Sequence, residues 1–172
     1  MLPLQNIELK ARLASLAAAR EVAKEVATEH LGSERQIDTY FVSSHGRLKL
    51  REIEGRQSQL VWYQRPDQAS AKQSDYLLVP VAAPAALKAA LARACGTRVV
   101  VVKCREIFLA DNVRIHLDQV AGLGEFLEFE AVLGEGVSAE LGRSQVAELA
   151  TRFGIEAAQL IDASYADLLS SG

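Results

Sequence analysis

The sequence predicts an α+β fold in which about eight mostly antiparallel strands accompany three or four helices. Three observations predict it. Strand-like stretches recur at short spacing through the 172 residues. Most consecutive stretches are joined by turns too short for a parallel crossover. Two alanine-rich segments and the tail have helical rather than alternating character.

In chain order, residues 4–10 alternate Leu4, Ile7 and Leu9 with Asn6, Glu8 and Lys10 and read as a strand. The alanine-rich, Gly- and Pro-free stretch that follows predicts a helix over about 12–30, ended by Gly32. Strands are expected at 35–42, 46–54 and 59–65, separated by the turn residues SSHG and EGRQ. Residues 65–75 have the polarity of an exposed loop, and extended character resumes at SDYLLVPV, with Pro80 marking an edge or a strand end. Residues 84–95 form a second helix, opened by Pro84 and closed by Gly96. Three strands follow, TRVVVVKCREIFLA, NVRIHLDQV and GEFLEFEAVL, joined at Asp111-Asn112 and at 121–124. The tail from about 138 to 170 is helical and interrupted near Gly154.

Composition bounds the function. The length fits one domain, residues 1–172, with a self-sufficient core. Nineteen Lys and Arg against twenty-two Asp and Glu give a net charge of −3 and no basic excess for gripping nucleic acid, so nucleic acid is not expected as a partner. Cys95, Cys104 and the scattered His30, His45 and His116 make neither a disulfide framework nor a zinc cluster, which implies a reducing, cytoplasmic setting. No apolar run approaches the roughly 20 residues that cross a bilayer, so no membrane partner is expected.

The strands carry their charges on one parity. Asn6, Glu8 and Lys10 oppose Ile7 and Leu9; Arg47, Lys49 and Arg51 oppose Leu48 and Leu50. Lys103 and Arg105 oppose Val102 and Cys104; Arg114, His116 and Asp118 oppose Val113, Ile115 and Leu117; Glu128 and Glu130 oppose Leu127 and Phe129. A solvated sheet face explains any one strand. The segregation of sign is harder to explain that way: RLKLR holds only cations and FLEFE only carboxylates. Eight strands suffice to close a barrel around one small ligand. Cations on one wall suit phosphate oxygens, and carboxylates on the other suit Mg²⁺ or Mn²⁺. Together the walls predict a metal-bound triphosphate.

At these residues the sequence resembles the CYTH family, the class IV adenylyl cyclases and thiamine triphosphatases, also called triphosphate tunnel metalloenzymes. The similarity runs through Asn6-Ile7-Glu8-Leu9-Lys10, Gln36 to Phe41, Gly46 to Glu52, Lys103-Cys104-Arg105, Arg114 to Asp118 and Gly124 to Glu130, in the family's order. It implies a closed eight-stranded antiparallel β-barrel, the triphosphate tunnel, with helices packed outside. By position it implies Glu8, Glu128, Glu130 and Asp118 as ligands of Mg²⁺ or Mn²⁺, and Arg47, Lys49, Arg51, Lys103, Arg105 and Arg114 as phosphate contacts. Arg65 is a further candidate at the tunnel mouth, and Lys10 and His116 are the candidate catalytic side chains. Asn6 departs from the family's two-glutamate opening; its amide oxygen can coordinate, with one negative charge fewer.

The wording DTYF, GRLKLRE and SYADLL is nearest the adenylyl-cyclase-like branch, which implies conversion of ATP to cyclic AMP and pyrophosphate. Hydrolysis of tripolyphosphate, thiamine triphosphate or a nucleoside triphosphate is the alternative, and a non-catalytic triphosphate-binding module a third. A homodimer fits the family's habit of pairing subunits. For Tyr40, Trp62, Tyr63 and Tyr165, packing is the simplest reading.

Overall fold

Period-two alternation resolves into eight strands in a computed structural model of the chain, whose described residues are 3–170. They are β1 (Leu4–Arg12), β2 (Glu29–Phe41), β3 (Arg47–Ile53), β4 (Ser58–Gln64), β5 (Lys72–Val81), β6 (Thr97–Ala110), β7 (Val113–Val120) and β8 (Gly124–Val132). The order around the sheet is β1-β5-β4-β3-β2-β6-β7-β8, and β8 pairs back onto β1 to close the barrel. Every pairing is antiparallel. Closure leaves no strand edge open to another chain.

Four helices decorate the outside and one end: α1 (Leu16–Val26), α2 (Pro84–Cys95), α3 (Ala139–Arg152) and α4 (Tyr165–Ser170). Ser15 caps α1 by accepting from the Ala18 N–H, and Ser138 caps α3 in the same way through Leu141. Ile7, Leu9, Phe108, Ile115, Leu117, Leu127 and Phe129 point outward from β1, β6, β7 and β8 into a buried core with Ala23 and Val146. That core absorbs the apolar parity of the strands, which turns the opposite parity inward. Among the described residues no helix is long and apolar enough to cross a membrane.

Two expectations from local sequence are corrected. The helix expected over 12–30 ends at Val26, and Thr28 already donates its backbone N–H to the Leu109 carbonyl at 2.7 Å. Residues 29–41 are a long strand matched along β6, with Gly32 inside it at φ 88°, next to a register shift. Alanine-rich propensity loses here to strand pairing with a distant segment, and the glycine serves a bulge rather than a helix end. The loop expected over 65–75 is shorter: β5 begins at Lys72 and pairs with Glu8 there. Pro80 lies one residue before the end of β5.

Candidate active site

In a ring of eight strands, β3 and β8 stand four places apart and so face one another across the interior. The cationic stretch RLKLR and the acidic stretch FLEFE become opposite walls of a cavity of about 510 Å³. Eight Lys and Arg side chains line it against four glutamates, so the cavity is cationic overall.

The cations are held in place by buried acids. Asp38 on β2 accepts from Lys49 Nζ at 2.8 Å and from Arg51 Nε and a terminal nitrogen, each at 2.8 Å. Asp118 on β7 accepts a bidentate pair from Arg105 at 2.7 and 2.6 Å, and a third bond from the Tyr165 hydroxyl at 2.8 Å. Burial works to raise both aspartates, but the adjoining cations hold them below the ordinary carboxylate range. Arg65 Nε lies 2.8 Å from Glu8. Lys103 has only a 3.6 Å approach to Asp118; burial, and then the Arg105 charge, push its ammonium down to about 7. The cationic wall is short of negative charge, and a bound polyanion would supply it.

The opposite wall is crowded with carboxylates. Glu8 and Glu130 are direct partners in the β1–β8 ladder, and Lys10 and Glu128 are the next inward pair. Burial and the neighbouring Glu128 charge raise the pKa of Glu8. Lys10 bridges to Glu128 at 2.9 Å while its ammonium sits 4.0 Å over the Tyr165 ring. The Asn6 side-chain oxygen, also on this wall, is buried and has no hydrogen-bond partner. Clustered carboxylates beside a buried, unsatisfied amide oxygen fit a divalent cation. Glu8, Glu128 and Glu130 are the residues that would hold it.

Not every expected residue reaches the cavity. Asp118 is fully buried behind the wall, with both oxygens taken by Arg105 and Tyr165, and does not line it. Its position is that of a brace for Arg105, not of a metal ligand. Arg47 turns to Asp67 at 2.8 Å and Asp167 at 2.9 Å at the barrel end and does not line the cavity either. Lys49, Arg51, Arg65, Lys103, Arg105 and Arg114 do. Arg114, 39% exposed, sits nearest solvent and reaches Glu130 at 3.4 Å. His116 is buried between Glu128 and Glu130, and burial, with Arg105, lowers its pKa.

The two ends differ. At one, α4 lays Tyr165 against Phe126, Lys10, Lys103 and Asp118, and Asp167 anchors the helix to Arg47 and Arg98. At the other, Leu31, Ile53, Leu78, Ile107 and Leu109 form an apolar rim.

A family model described as the CYTH domain matches residues 4–165. The chain belongs to the CYTH family. No curated protein matches it. Among solved structures, PH1012 from Pyrococcus horikoshii OT3 superposes with a TM-score of 0.85 at 24% identity, covering 95% of this chain and 98% of that one. An adenylate cyclase candidate from Vibrio parahaemolyticus gives 0.79 at 21% identity, covering 99% of each chain. HpAC1 from Hippeastrum, described as having a dominant triphosphatase activity, gives 0.71 at 15% identity over 97% and 96% of the two chains. At these identities the likeness is one of fold.

The CYTH barrel also uses residues that the sequence reading passed over. Lys72 is fully buried next to Glu8 and donates to the Gln68 carbonyl at 2.6 Å. Ser74 and Tyr76 line the cavity from the same strand. The alternation Lys72, Ser74, Tyr76 was the available signal, masked by the polarity of the preceding loop. Asp38 braces Lys49 and Arg51 from two strand positions before Tyr40; only its three-dimensional neighbours show that role.

Proposed function

We propose that the chain is a divalent-metal-dependent enzyme acting on a triphosphate, with Mg²⁺ or Mn²⁺ as the metal, and that it converts ATP to cyclic AMP and pyrophosphate. The observation that carries the reading is the barrel cavity lined by eight cationic side chains and four glutamates, in which Lys49 and Arg51 of β3 face Glu128 and Glu130 of β8. Lys49, Arg51, Arg65, Lys103 and Arg105 would grip the phosphate chain, the arginines through paired N–H donors. Asp38 and Asp118 hold three of these side chains in fixed poses, so little reorganisation is required when the anion arrives.

In cyclisation the ribose 3′-hydroxyl gives up its proton to solvent, its oxygen attacks the α-phosphorus and the bond to pyrophosphate breaks. The cationic wall then neutralises charge growing on the departing phosphates. Lys10, fixed by Glu128 and the Tyr165 ring, offers an ammonium between the two walls. A dication on Glu8, Glu128 and Glu130 would supply Lewis acidity toward phosphate oxygens and the nucleophile. Hydrolysis of a triphosphate is the second reading, supported by the triphosphatase activity described for the Hippeastrum structure.

The test is incubation with Mg²⁺ or Mn²⁺ and, separately, ATP, tripolyphosphate and thiamine triphosphate. Cyclic AMP with pyrophosphate is the expected outcome from ATP. Orthophosphate release alone selects the hydrolase, and tight binding without product makes the barrel a binding module. Failure to bind any of the three overturns the assignment.

A further inference from the structure

We propose that His116 is itself a metal ligand, acting with Glu128 and Glu130, and that its ring nitrogen makes the site prefer a transition-series dication such as Mn²⁺ over Mg²⁺. The inference rests on the metal-dependent reading above and sharpens it, giving the histidine a role other than proton transfer.

The geometry begins with the β7–β8 ladder, which sets His116 directly beside Glu128 and Arg114 beside Glu130. His116 Nδ1 lies 3.5 Å from Glu128 Oε1 and 3.9 Å from Glu130 Oε1. The ligand atoms of all three residues fall within 4.8 Å of one another. Ligand atoms bonded to one dication at about 2.0–2.2 Å stand roughly 3–4 Å apart, so these three need only small adjustments to share an ion. As a hydrogen bond, by contrast, 3.5 Å is at the outer limit, and the 3.9 Å contact is beyond it. The imidazole is 4% exposed and faces two carboxylates without a short bond to either.

A second observation comes from β1. Asn6 is 4% exposed, lines the same cavity and keeps a side-chain oxygen with no donor. Its parity neighbour Glu8 pairs with Glu130 across the ladder. Glu8 is itself engaged by Arg65 at 2.8 Å, whereas Glu130 has only the loose 3.4 Å approach of Arg114. The least engaged carboxylate thus lies at the imidazole, and the unsatisfied amide oxygen lies on the adjoining strand.

Chemistry then decides the ion. Mg²⁺ favours an all-oxygen octahedron and keeps its waters, while imidazole is a donor for the first-row transition dications, of which Mn²⁺ is the one that also takes carboxylate and amide oxygens. Glu128 shares its charge with Lys10 at 2.9 Å and Arg105 at 3.3 Å, so Glu130 brings the less compensated charge to the ion, and the neutral donors His116 and Asn6 add coordination without charge.

Mn²⁺ binding to the full chain, followed by EPR, with pulsed EPR for nitrogen coupling and Mg²⁺ measured by competition, tests the assignment. Expected are about one Mn²⁺ per chain, a ¹⁴N coupling from directly bound imidazole, and Mn²⁺ held about tenfold or more tighter than Mg²⁺. In His116→Gln the coupling should vanish and Mn²⁺ affinity should drop about tenfold, with Mg²⁺ affinity nearly unchanged. Mn²⁺ bound without nitrogen coupling, or a variant that weakens both ions equally, overturns the inference and leaves the metal-dependent reading standing. No binding of either ion, with or without tripolyphosphate, overturns both. The coupling in the wild-type chain decides the matter even if the variant does not fold.

Discussion

Replacing Asp118 by Asn removes one charge from the most enclosed ion-pair network of the barrel. The carboxylate is fully buried and takes two short bonds from Arg105 and one from Tyr165, with Lys103 3.6 Å away. Its loss leaves Arg105 with Glu128 alone, at 3.3 Å, and Lys103 with no partner of comparable closeness among the described residues. Breaking a buried pair typically costs about 3–5 kcal/mol. Asn keeps the shape and one acceptor oxygen, so the loss should sit near the lower end, about 3 kcal/mol. For a domain of this size that lowers Tm by roughly 6–12 °C.

Thermal unfolding with and without tripolyphosphate measures it. Because the anion supplies the missing negative charge, the variant's Tm should rise more on adding tripolyphosphate than the wild type's does. A metal ligand would behave differently: the metal-free chain would be little affected or stabilised, and the metal-induced rise in Tm would vanish. A stability change under about 1 kcal/mol together with no larger response to tripolyphosphate refutes the brace assignment.

The titration of Lys103 predicts a pH signature. Its folded-state pKa is depressed to about 7, so in the free chain the ammonium is charged below that pH and neutral above it. An anion that recharges it must take up a proton above pH 7, so tripolyphosphate affinity should fall as pH rises from 7 to 9, by up to about tenfold per pH unit. Calorimetry in buffers of different ionisation enthalpy should detect the proton, and Lys103→Met should abolish the uptake. Gly46, at φ 66°, leads into β3 with room for no side chain: a Cβ there would stand 2.7 Å from the Tyr63 carbonyl oxygen. Gly46→Ala should therefore cost more than about 1 kcal/mol in chemical denaturation, whereas Gly55→Ala, strained in φ but open in space, should cost less.

Much of the site was legible in one dimension because strand parity is a local property. Glu8, Lys10, Lys49, Arg51, Lys103, Arg105, His116, Glu128 and Glu130 were all placed on the inward parity by alternation, and all line the cavity. The residues that went astray share a cause. Asp118 and Arg47 have the right parity, but Asp118 sits behind Arg105, and Arg47 lies at the end where α4 approaches. Parity tells which face a side chain leaves from, and not how far along the barrel another element already occupies that face. Lys72 was lost in a polar loop for the related reason that its strand is fixed by pairing with β1.

The sequence by itself determined the alternation, the turns, the second helix to its end residues and the separation of cationic from acidic strands. Those depend on neighbours two to four positions away. Tertiary structure decided that β8 returns to β1, that β3 faces β8 across a cavity, and that residues 29–41 extend along β6 instead of continuing a helix. These outcomes depend on hydrogen bonds and burial between segments far apart in the chain, where strand pairing outweighs the local preference of a few alanines.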